Sequence, residues 1–388
     1  MFARSGLDRL LQSPSELARL AAGPFALLCH PASVTQDYVH AYDALAGRGL
    51  RPAMLLGPEH GIAGEAQDMD AVDDARNADG VRVRSLYGAR FEDLIPKDED
   101  FEGIQTLVVD MQDVGSRYYT FVWTAVLAAR RAFACGVDVL VLDRANPLGA
   151  ERFEGRVQSA GFLSFVGLEP VPIRHGLSLG EIVAWQLSLY EGRRGDLRVI
   201  RCEEGDGVWV FPSPNMPTRD TAVVYSGGCL LEGTNLSDGR GTTKPFQITG
   251  APWVNGHALK HKLALCSLPG VVFRPLSFEP TFHKHAKHIC GGVEIHVTDA
   301  QSFLPVATFA ALVAAAHELW PEHFVFRTET YEFVSDIPAL DLLTGSADVR
   351  EQMIAGCNVQ GIAEWLSKTS PEVSLRARAA AYAFGEWL

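Results

Sequence analysis

The amino-acid sequence predicts an α/β protein, with a Rossmann-like, doubly wound parallel sheet and a smaller C-terminal α/β domain. Between residues 24 and 202, short runs rich in Val, Leu and Ile alternate with helical patterns, which is typical of a parallel sheet covered on both faces. From about residue 205 to 255 the chain becomes rich in Gly, Pro, Ser, Thr and Asn, and a second α/β segment follows. We therefore predict one domain at 1–250 and a smaller one at 251–388.

The elements of the first domain follow one another in the order that a doubly wound sheet requires. Strands are predicted at 24–30, 51–57, 81–88, 104–115, 137–149 and 196–202, the fourth and fifth running into polar turns, and helices at 37–49, 118–136 and 177–192. The second domain is predicted to contain a helix after residue 256, a strand at 291–299, a helix at 303–320 and a mostly helical tail. No GxGxxG or GxxxxGK[ST] follows any strand, so neither a dinucleotide site nor a phosphate loop is predicted.

Composition and charge exclude several classes of protein. The formal net charge is -13, and a surface of that sign repels polyphosphate, so nucleic acid is not an expected partner. The seven cysteines include no CxxC pair, which argues against a zinc ribbon and favours small buried side chains in a reducing compartment. No apolar run approaches the roughly 18 residues that a membrane helix needs, and the N-terminal residues lack a signal-peptide core. We expect a cytoplasmic protein without a membrane partner, and the oligomeric state stays open.

Polar side chains gather where the predicted strands end. Glu59 and His60 follow the second strand, Asp113 and Arg117 follow the fourth, and Asp143 follows the fifth. Because the carboxyl ends of parallel strands lie at one edge of a sheet, these residues are expected to converge on a ligand-binding crevice. The glycine-rich stretch supplies further polar side chains that could close over this crevice: Glu232, Asn235, Asp238 and Arg240.

Each of these residues also has a purely structural interpretation. Asp143 could cap the following helix, Asp113 could form an Asx turn before a glycine, and Arg117 and Arg240 could pair with nearby acids. Histidines 283, 285 and 288 resemble a metal site, but their spacing beside Pro280 and two lysines does not match a known ligand pattern. We expect no metal there and keep a metal-dependent hydrolase as an alternative.

The polar side chains expected at this crevice suit acid–base chemistry. Burial under a closing loop would raise the pKa of Glu59 and make it a proton donor. A second carboxylate from Asp113, Asp143 or Glu232 would complete a glycosidase-like pair. The sequence contains neither GxSxG nor HExxH, which lowers the expectation of an α/β-hydrolase esterase or a zinc protease.

Seven separated blocks resemble the exo-β-N-acetylmuramidase family typified by NamZ. They are GPEHGIAG (57–64), SLYG (85–88), DMQDVGSRYYTF (110–121), LDRANPLG (142–149), PSPNMPT (212–218), LLEGTNLSDGRGTTKPFQITGAPW (230–253) and FHKHAKHICGGVEIHVTD (282–299). The resemblance implies release of N-acetylmuramic acid from the non-reducing end of peptidoglycan fragments or related glycosides. It also implies an active site in the cleft between the two domains and no cofactor.

The same resemblance assigns the site residues. It gives Glu59 the favoured catalytic role, as the general acid, and the following residues also match family blocks: His60, Asp113, Arg117, Tyr118, Asn215, Glu232, Asn235 and Arg240. The block CHPASV (29–34) departs from the Asn- and Gly-containing segment expected there. Absence of a secretion signal would suit a member that acts on imported muropeptide sugars.

The expected substrate carries a lactyl ether carboxylate. A planar guanidinium matches a carboxylate bidentately, so Arg117 or Arg240 is predicted to bind that group. Two other functions stay open from the sequence. One is a non-catalytic amino-sugar-binding protein on the same fold, and the other is the metal-dependent hydrolase that would use His283, His285 and His288.

Overall fold

The structure is a computed structural model that describes residues 2–59, 61, 75–77, 79–192 and 195–388. Its larger sheet has eight strands in the order β11-β7-β6-β5-β1-β2-β4-β3. Neighbouring strands are parallel except for the antiparallel pair β3–β4. The strands are β1 (Phe25–Cys29), β2 (Met54–Gly57), β3 (Ala75–Arg76), β4 (Arg82–Ser85), β5 (Thr106–Asp110), β6 (Asp138–Leu142), β7 (Leu197–Ile200) and β11 (Glu386–Trp387). The predicted parallel sheet is confirmed.

Twelve α-helices lie within the described residues. They are α1 (Gly6–Leu11), α2 (Pro14–Leu20), α3 (Ala41–Ala46), α4 (Phe121–Ala134), α5 (Leu179–Ser188), α6 (Arg219–Gly228), α7 (Gly256–Leu263), α8 (Pro305–Leu319), α9 (Ala339–Thr344), α10 (Asp348–Ile354), α11 (Val359–Ser367) and α12 (Pro371–Tyr382). No helix among the described residues is long and apolar enough to cross a membrane.

Apolar cores on both faces of the large sheet explain why the central strand β1 is apolar throughout. Along β1, Ala26 and Leu28 join the core that contains α4 and α5, whereas Phe25, Leu27 and Cys29 join the core that contains α1 and α3. Successive side chains of a strand point to opposite faces, so a strand covered on both sides has no polar position. All five residues of β1 are buried.

The sheet order creates a crevice at one edge. From β1 the chain moves to β2 and β4 on one side, and it then returns to place β5 on the other side of β1. At such a reversal the segments that leave the carboxyl ends of the strands diverge and leave room for a ligand. The segments after β2 and β5, which carry Glu59 and residues 111–120, leave the sheet here.

A smaller antiparallel sheet forms the second part of the fold. Its order is β8-β10-β9, with β8 at Ile248–Ala251, β9 at Val271–Phe278 and β10 at Cys290–Val297. The predicted boundary at residue 250 falls inside β8, and the C-terminal strand β11 returns to pair with β7 of the large sheet. The proposed division into 1–250 and 251–388 stays a prediction.

Candidate active site

One pocket brings together side chains from both parts of the chain. The part of the chain before α6 contributes residues after β2, around the start of α4 and in the segment that precedes α6. The part from α6 onward contributes the others. The lining residues are Glu59, Tyr118, Tyr119, Thr120, Phe121, Val166, Ser213, Asn215, Met216, Tyr225, Glu232, Arg240, Phe246, Tyr331 and Glu332. Five predicted site residues therefore meet here: Glu59, Tyr118, Asn215, Glu232 and Arg240.

Glu59 reaches the pocket from the tight turn that follows β2. The N–H of Gly61 donates to the carbonyl of Pro58 at 3.0 Å, and Gly61 has a φ of 77°, a value that glycine adopts without strain. The Glu59 side chain is 4% exposed, and its Oε2 accepts a hydrogen bond from the Thr120 hydroxyl at 2.8 Å. Thr120 stands at the N-cap of α4, where its hydroxyl binds Glu59 instead of capping the helix. The helix therefore fixes the orientation of this carboxylate.

Glu232 is held by two donors, Arg240 from the following loop and Tyr331 from a distant segment. Its Oε1 accepts from Arg240 Nη2 at 2.9 Å, and its Oε2 accepts from the Tyr331 hydroxyl at 2.7 Å. The other terminal nitrogen of Arg240, Nη1, lies 3.0 Å from Asp238 Oδ2. One buried guanidinium is thus shared between two carboxylates, which gives Glu232 a matched counter-charge.

Asp238 anchors the loop that presents Arg240. Burial alone would raise the pKa of Asp238, but the charges of Arg240 and Lys284 hold it well below its usual range. Gly239 has a φ of 80°, and a Cβ at this position would lie 2.6 Å from the Ile248 carbonyl oxygen. Only glycine fits this backbone, which explains why the polar stretch between α6 and β8 is rich in glycine.

Four tyrosines form much of the pocket wall. Burial raises the pKa of each phenol well above its ordinary value, so these groups stay neutral hydrogen-bond donors. They are Tyr118, Tyr119, Tyr225 and Tyr331. The Tyr118 hydroxyl donates to the Ser226 carbonyl at 3.3 Å, and the Tyr119 hydroxyl lies beside Ser213. Aromatic faces beside a few placed polar groups suit a sugar ring.

Glu332 is a pocket residue that the sequence analysis did not identify. Its side chain is 4% exposed and accepts a hydrogen bond from the Tyr87 hydroxyl at 3.3 Å. The segment TYEFVSD (330–336) has no motif and no glycine, so nothing in it distinguishes this glutamate from a surface residue. Glu332 is brought into the same pocket as Glu59 only by the folding of the chain.

Asp113 and Asp143 lie outside this pocket. Their contacts match the structural interpretation given above, a turn for Asp113 and a helix cap for Asp143. Asp113 Oδ2 accepts from the N–H of Gly115 at 2.8 Å, which is an Asx turn. Asp143 accepts from the Ser178 hydroxyl at 2.6 Å and from the N–H of Gly180 at 2.9 Å, at the start of α5. Both carboxylates hold backbone in place at the edge of the sheet.

Asn235 does not line the described pocket. The Asn235 side chain links its own loop to the segment after α8. Its Nδ2 donates to the His323 carbonyl at 2.8 Å, and its Oδ1 accepts from the N–H of Val325 at 3.0 Å. His60 lies outside the described residues. Its predicted catalytic role therefore stays a prediction.

The expected lactyl-binding arginines are engaged within the protein. The Arg117 side chain is fully buried, and its two terminal nitrogens donate to the carbonyl oxygens of residues 156, 171 and 343 at 2.7–2.8 Å. Burial lowers the pKa of Arg117 to about 10. Arg240 lines the pocket, but both of its terminal nitrogens bind carboxylates of the protein. Neither guanidinium offers its two-nitrogen edge to a substrate carboxylate, because each edge already binds acceptors of the chain.

The three histidines of the FHKHAKH block (282–288) do not form a metal site. His285 Nε2 lies 2.6 Å from the Asn235 carbonyl oxygen, and His288 Nδ1 lies 2.9 Å from the carbonyl of residue 286. His283 Nδ1 instead faces Asp238 at 3.6 Å. Within the described parts of the chain, no group of three His, Cys, Asp or Glu side chains is placed to hold a metal ion. The metal-dependent alternative therefore has no ligand set in the described residues.

Comparison with protein families matches nearly the whole chain. Residues 25–220 match the model of the N-terminal part of exo-β-N-acetylmuramidase NamZ, and residues 223–378 match the model of its C-terminal part. The peptidoglycan β-N-acetylmuramidase NamZ of Bacillus subtilis (strain 168) is 36% identical over 385 residues, which cover 96% of this chain and 89% of that protein.

Solved structures show the same fold. A DUF1343 family protein from Bacteroides fragilis NCTC 9343 aligns with a TM-score of 0.83 at 25% identity, covering 100% of this chain and 99% of that one. A second DUF1343 family protein from the same organism aligns with a TM-score of 0.74 at 24% identity over the full length of both chains. Both alignments span the large and the small sheet.

Proposed function

The chain belongs to the exo-β-N-acetylmuramidase NamZ family, and from that premise we propose that it releases N-acetylmuramic acid from the non-reducing end of peptidoglycan fragments or related glycosides. It is a glycosidase by family. The substrate and the residues that perform the reaction are the proposed part. The observation that supports them best is the buried Glu59, held by Thr120 in a pocket that also contains Glu232 and Glu332.

We propose Glu59 as the general acid. The hydrogen bond from Thr120 to Oε2 orients the Glu59 carboxyl group, which carries the acidic proton. In the first step that proton passes to the glycosidic oxygen while the bond between this oxygen and C1 of the sugar breaks. A water molecule then supplies the hydroxyl group at C1, and its proton returns to Glu59. Burial keeps bulk water away from this proton transfer.

We propose Glu232 as a fixed anion of the binding pocket. Its two oxygens are held by Arg240 and Tyr331, so it keeps one orientation. Phe246 packs on the guanidinium of Arg240 at 4.9 Å and thereby closes the pocket on that side. The buried tyrosines form the aromatic wall of the pocket, and the hydroxyls of Tyr118 and Tyr331 already donate to the Ser226 carbonyl and to Glu232.

A panel of 4-nitrophenyl β-glycosides tests this function. We expect turnover of the N-acetylmuramide and little turnover of the N-acetylglucosaminide. On an alkyl N-acetylmuramide, whose leaving group needs a proton, Glu59→Gln is expected to lose about 10²–10⁴-fold in kcat. Glu329→Gln, which alters a carboxylate with a 77% exposed side chain, is the matched control and is expected to retain full activity. Binding of free N-acetylmuramic acid without turnover of any glycoside would instead support the sugar-binding alternative, and loss of turnover with a chelator would support the metal-dependent one.

A further inference from the structure

A second cavity lies next to the pocket that contains Glu59. Its volume is about 400 Å³, and it is lined by residues 234–235, 283–285 and 325–329. None of these residues lines the Glu59 pocket. The reaction proposed above leaves this second cavity without a role.

The second cavity and the Glu59 pocket are built on the same stretch of backbone. Glu232 lines the Glu59 pocket, and residues 234–235 line the second cavity. Arg327 of the second cavity places its guanidinium 5.1 Å from the centre of the Tyr331 ring, and the Tyr331 hydroxyl donates to Glu232. The two spaces are therefore neighbours on the same face of the molecule.

This position is where the rest of a glycan would lie. In the proposed reaction the terminal sugar occupies the Glu59 pocket, and the remaining chain extends from the glycosidic oxygen over the surface beside it. Binding of such remote parts of a substrate can be used to accelerate the reaction at the bond that breaks. A neighbouring cavity of this size is thus a candidate site for a sugar on the leaving side.

Aromatic and cationic side chains line the second cavity together. The half-buried Phe326 offers an aromatic face, which suits the apolar side of a sugar ring. Lys284 and Arg327 bring two cations, and their side chains are 17% and 23% exposed. A cation that is mostly withdrawn from water acts more strongly on a ligand than an exposed one does.

Carboxylates near these cations are fewer or bound elsewhere. Glu329 is the one carboxylate among the described lining residues, and its side chain is 77% exposed, so water screens its charge. Asp238 faces Lys284 at 3.5 Å, but it also binds Arg240 at 3.0 Å. On a chain with a net charge of -13, this local excess of cations favours an anionic ligand.

The loop that presents Lys284 has a strained backbone. His283, His285 and Lys287 have φ values of 69°, 58° and 64°, in the left-handed region that such residues rarely adopt. Strain of this kind persists only where the surroundings determine it, and it occurs preferentially at functional sites. Here Lys284 Nζ and His285 Nε2 donate to two carbonyl oxygens of segment 231–235, at 2.8 and 2.6 Å. The strained loop is therefore fixed against the wall of the Glu59 pocket.

We propose that the second cavity binds the leaving-side part of the glycan, through a sugar that carries a carboxylate. The terminal N-acetylmuramic acid occupies the Glu59 pocket, and the lactyl carboxylate of a later muramic acid in the chain binds to Lys284 and Arg327. The ring of that sugar packs on Phe326. The inference rests on the proposed function, because it adds a second binding site to the same reaction.

Three substrates that differ only on the leaving side test this site. In 4-nitrophenyl N-acetylmuramide the leaving side has no sugar. In the disaccharide N-acetylmuramyl-N-acetylglucosamine it has an uncharged sugar, and in the trisaccharide with a further N-acetylmuramic acid it also has the carboxylate. We expect the wild type to prefer the trisaccharide over the disaccharide by about 10-fold in kcat/KM, the value of one hydrogen bond to a charged group.

Two variants remove this preference if the site is as proposed. Arg327→Gln removes a cation, and Thr328→Trp places a bulky ring in the cavity. In both, the ratio of kcat/KM between trisaccharide and disaccharide is expected to fall to about 1, from the roughly 10 expected of the wild type. His288→Ala lies in the same loop but outside the lining, and as the matched control it is expected to keep the wild-type ratio.

Three outcomes would overturn the inference. The first is an equal kcat/KM of the wild type on the two saccharides. The second is an unchanged ratio in both variants, and the third is a loss by the same factor on all three substrates, which would indicate damage to the Glu59 pocket.

A binding measurement separates this site from the reaction. By titration calorimetry, the leaving-side disaccharide alone, N-acetylglucosaminyl-N-acetylmuramic acid, is expected to bind to the wild type and at least about 10-fold more weakly to Arg327→Gln and Thr328→Trp. Wild-type protein that is inactive on all three substrates would contradict the proposed function. Failure of the wild type to bind this disaccharide would overturn the inference itself.

Discussion

Glu232 is bound by a cation that lies near it in the sequence and by a tyrosine that lies far from it. Arg240 reaches it from the glycine-rich loop, and Tyr331 reaches it from the segment after α8. Arg240 also serves Asp238, so one cation holds two buried anions. At the residue scale, the pocket is therefore a network in which removal of a single group leaves others without compensation.

Replacement of Arg240 should destabilise the protein strongly. In Arg240→Ala, Glu232 and Asp238 lose the cation that binds both of them, and breaking a buried pair in this way costs about 3–5 kcal/mol. Arg240→Lys keeps the charge but not the planar two-nitrogen edge, so an intermediate loss is expected. Urea denaturation measures the free energy of unfolding of both variants. Equal stability of Arg240→Ala and the wild type would show that the network contributes nothing.

The pocket residues that the sequence predicted all lie in motif blocks. Glu59, Glu232 and Arg240 were found because their neighbours form recognisable patterns, whereas Glu332 stands in a segment without any. Asp113 and Asp143 were chosen for the same reason as Glu59, namely that they follow strands. A carboxylate after a strand serves a ligand or a local turn or cap equally well, and only the three-dimensional contacts separate the two uses.

At the element scale, α8 depends on a residue from the other part of the chain. The helix begins without a side-chain cap of its own. Glu154, from the segment between β6 and α5, supplies one, because its Oε1 accepts from the N–H of Ala307 at 2.8 Å. Its Oε2 has no hydrogen-bond partner among the described residues. Burial outweighs the contacts with the helix N–H groups and raises the pKa of Glu154 to about 7.

This raised pKa predicts how the stability changes with pH. Between pH 4.5 and 7 the folded state binds the Glu154 proton more tightly than the unfolded state does, so this group favours folding at the acidic end and the contribution is lost as the pH rises through 7. The full effect is about 3 kcal/mol. Glu154→Gln cannot titrate, so its free energy of unfolding should depend less on pH in that window than the wild type's. Identical pH dependence in the two proteins would contradict this role.

The strands and helices were predictable to different degrees. Continuous apolar runs located β1, β2, β5, β6 and β7, because burial on both faces leaves a strong signal. Strand β9 was missed, since VVFRPLSF contains a proline and mixes exposed with buried positions along an edge of the small sheet. The predicted helix at 37–49 is shorter, at Ala41–Ala46, because residues 35–39 form a hydrogen-bonded loop with Tyr38 at a φ of 62°.

On the scale of the whole molecule, the pocket requires both parts of the chain. Residues up to 216 supply Glu59 and the wall around the start of α4, and residues from 225 onward supply Glu232, Arg240 and Glu332. The family models divide the chain between residues 220 and 223, at the start of α6, so the pocket spans that division. A sequence pattern can identify the two parts, but it cannot give the angle and contacts at which they meet.

The dependence of the Glu59→Gln variant on the leaving group tests the central claim most directly. A general acid matters little when 4-nitrophenolate departs, because this ion is stable without a proton, and it matters greatly when an alkoxide must depart. We predict that Glu59→Gln loses at least about ten times more kcat/KM on an alkyl N-acetylmuramide than on the 4-nitrophenyl glycoside. Equal losses on the two substrates would contradict the assignment of Glu59 as the proton donor.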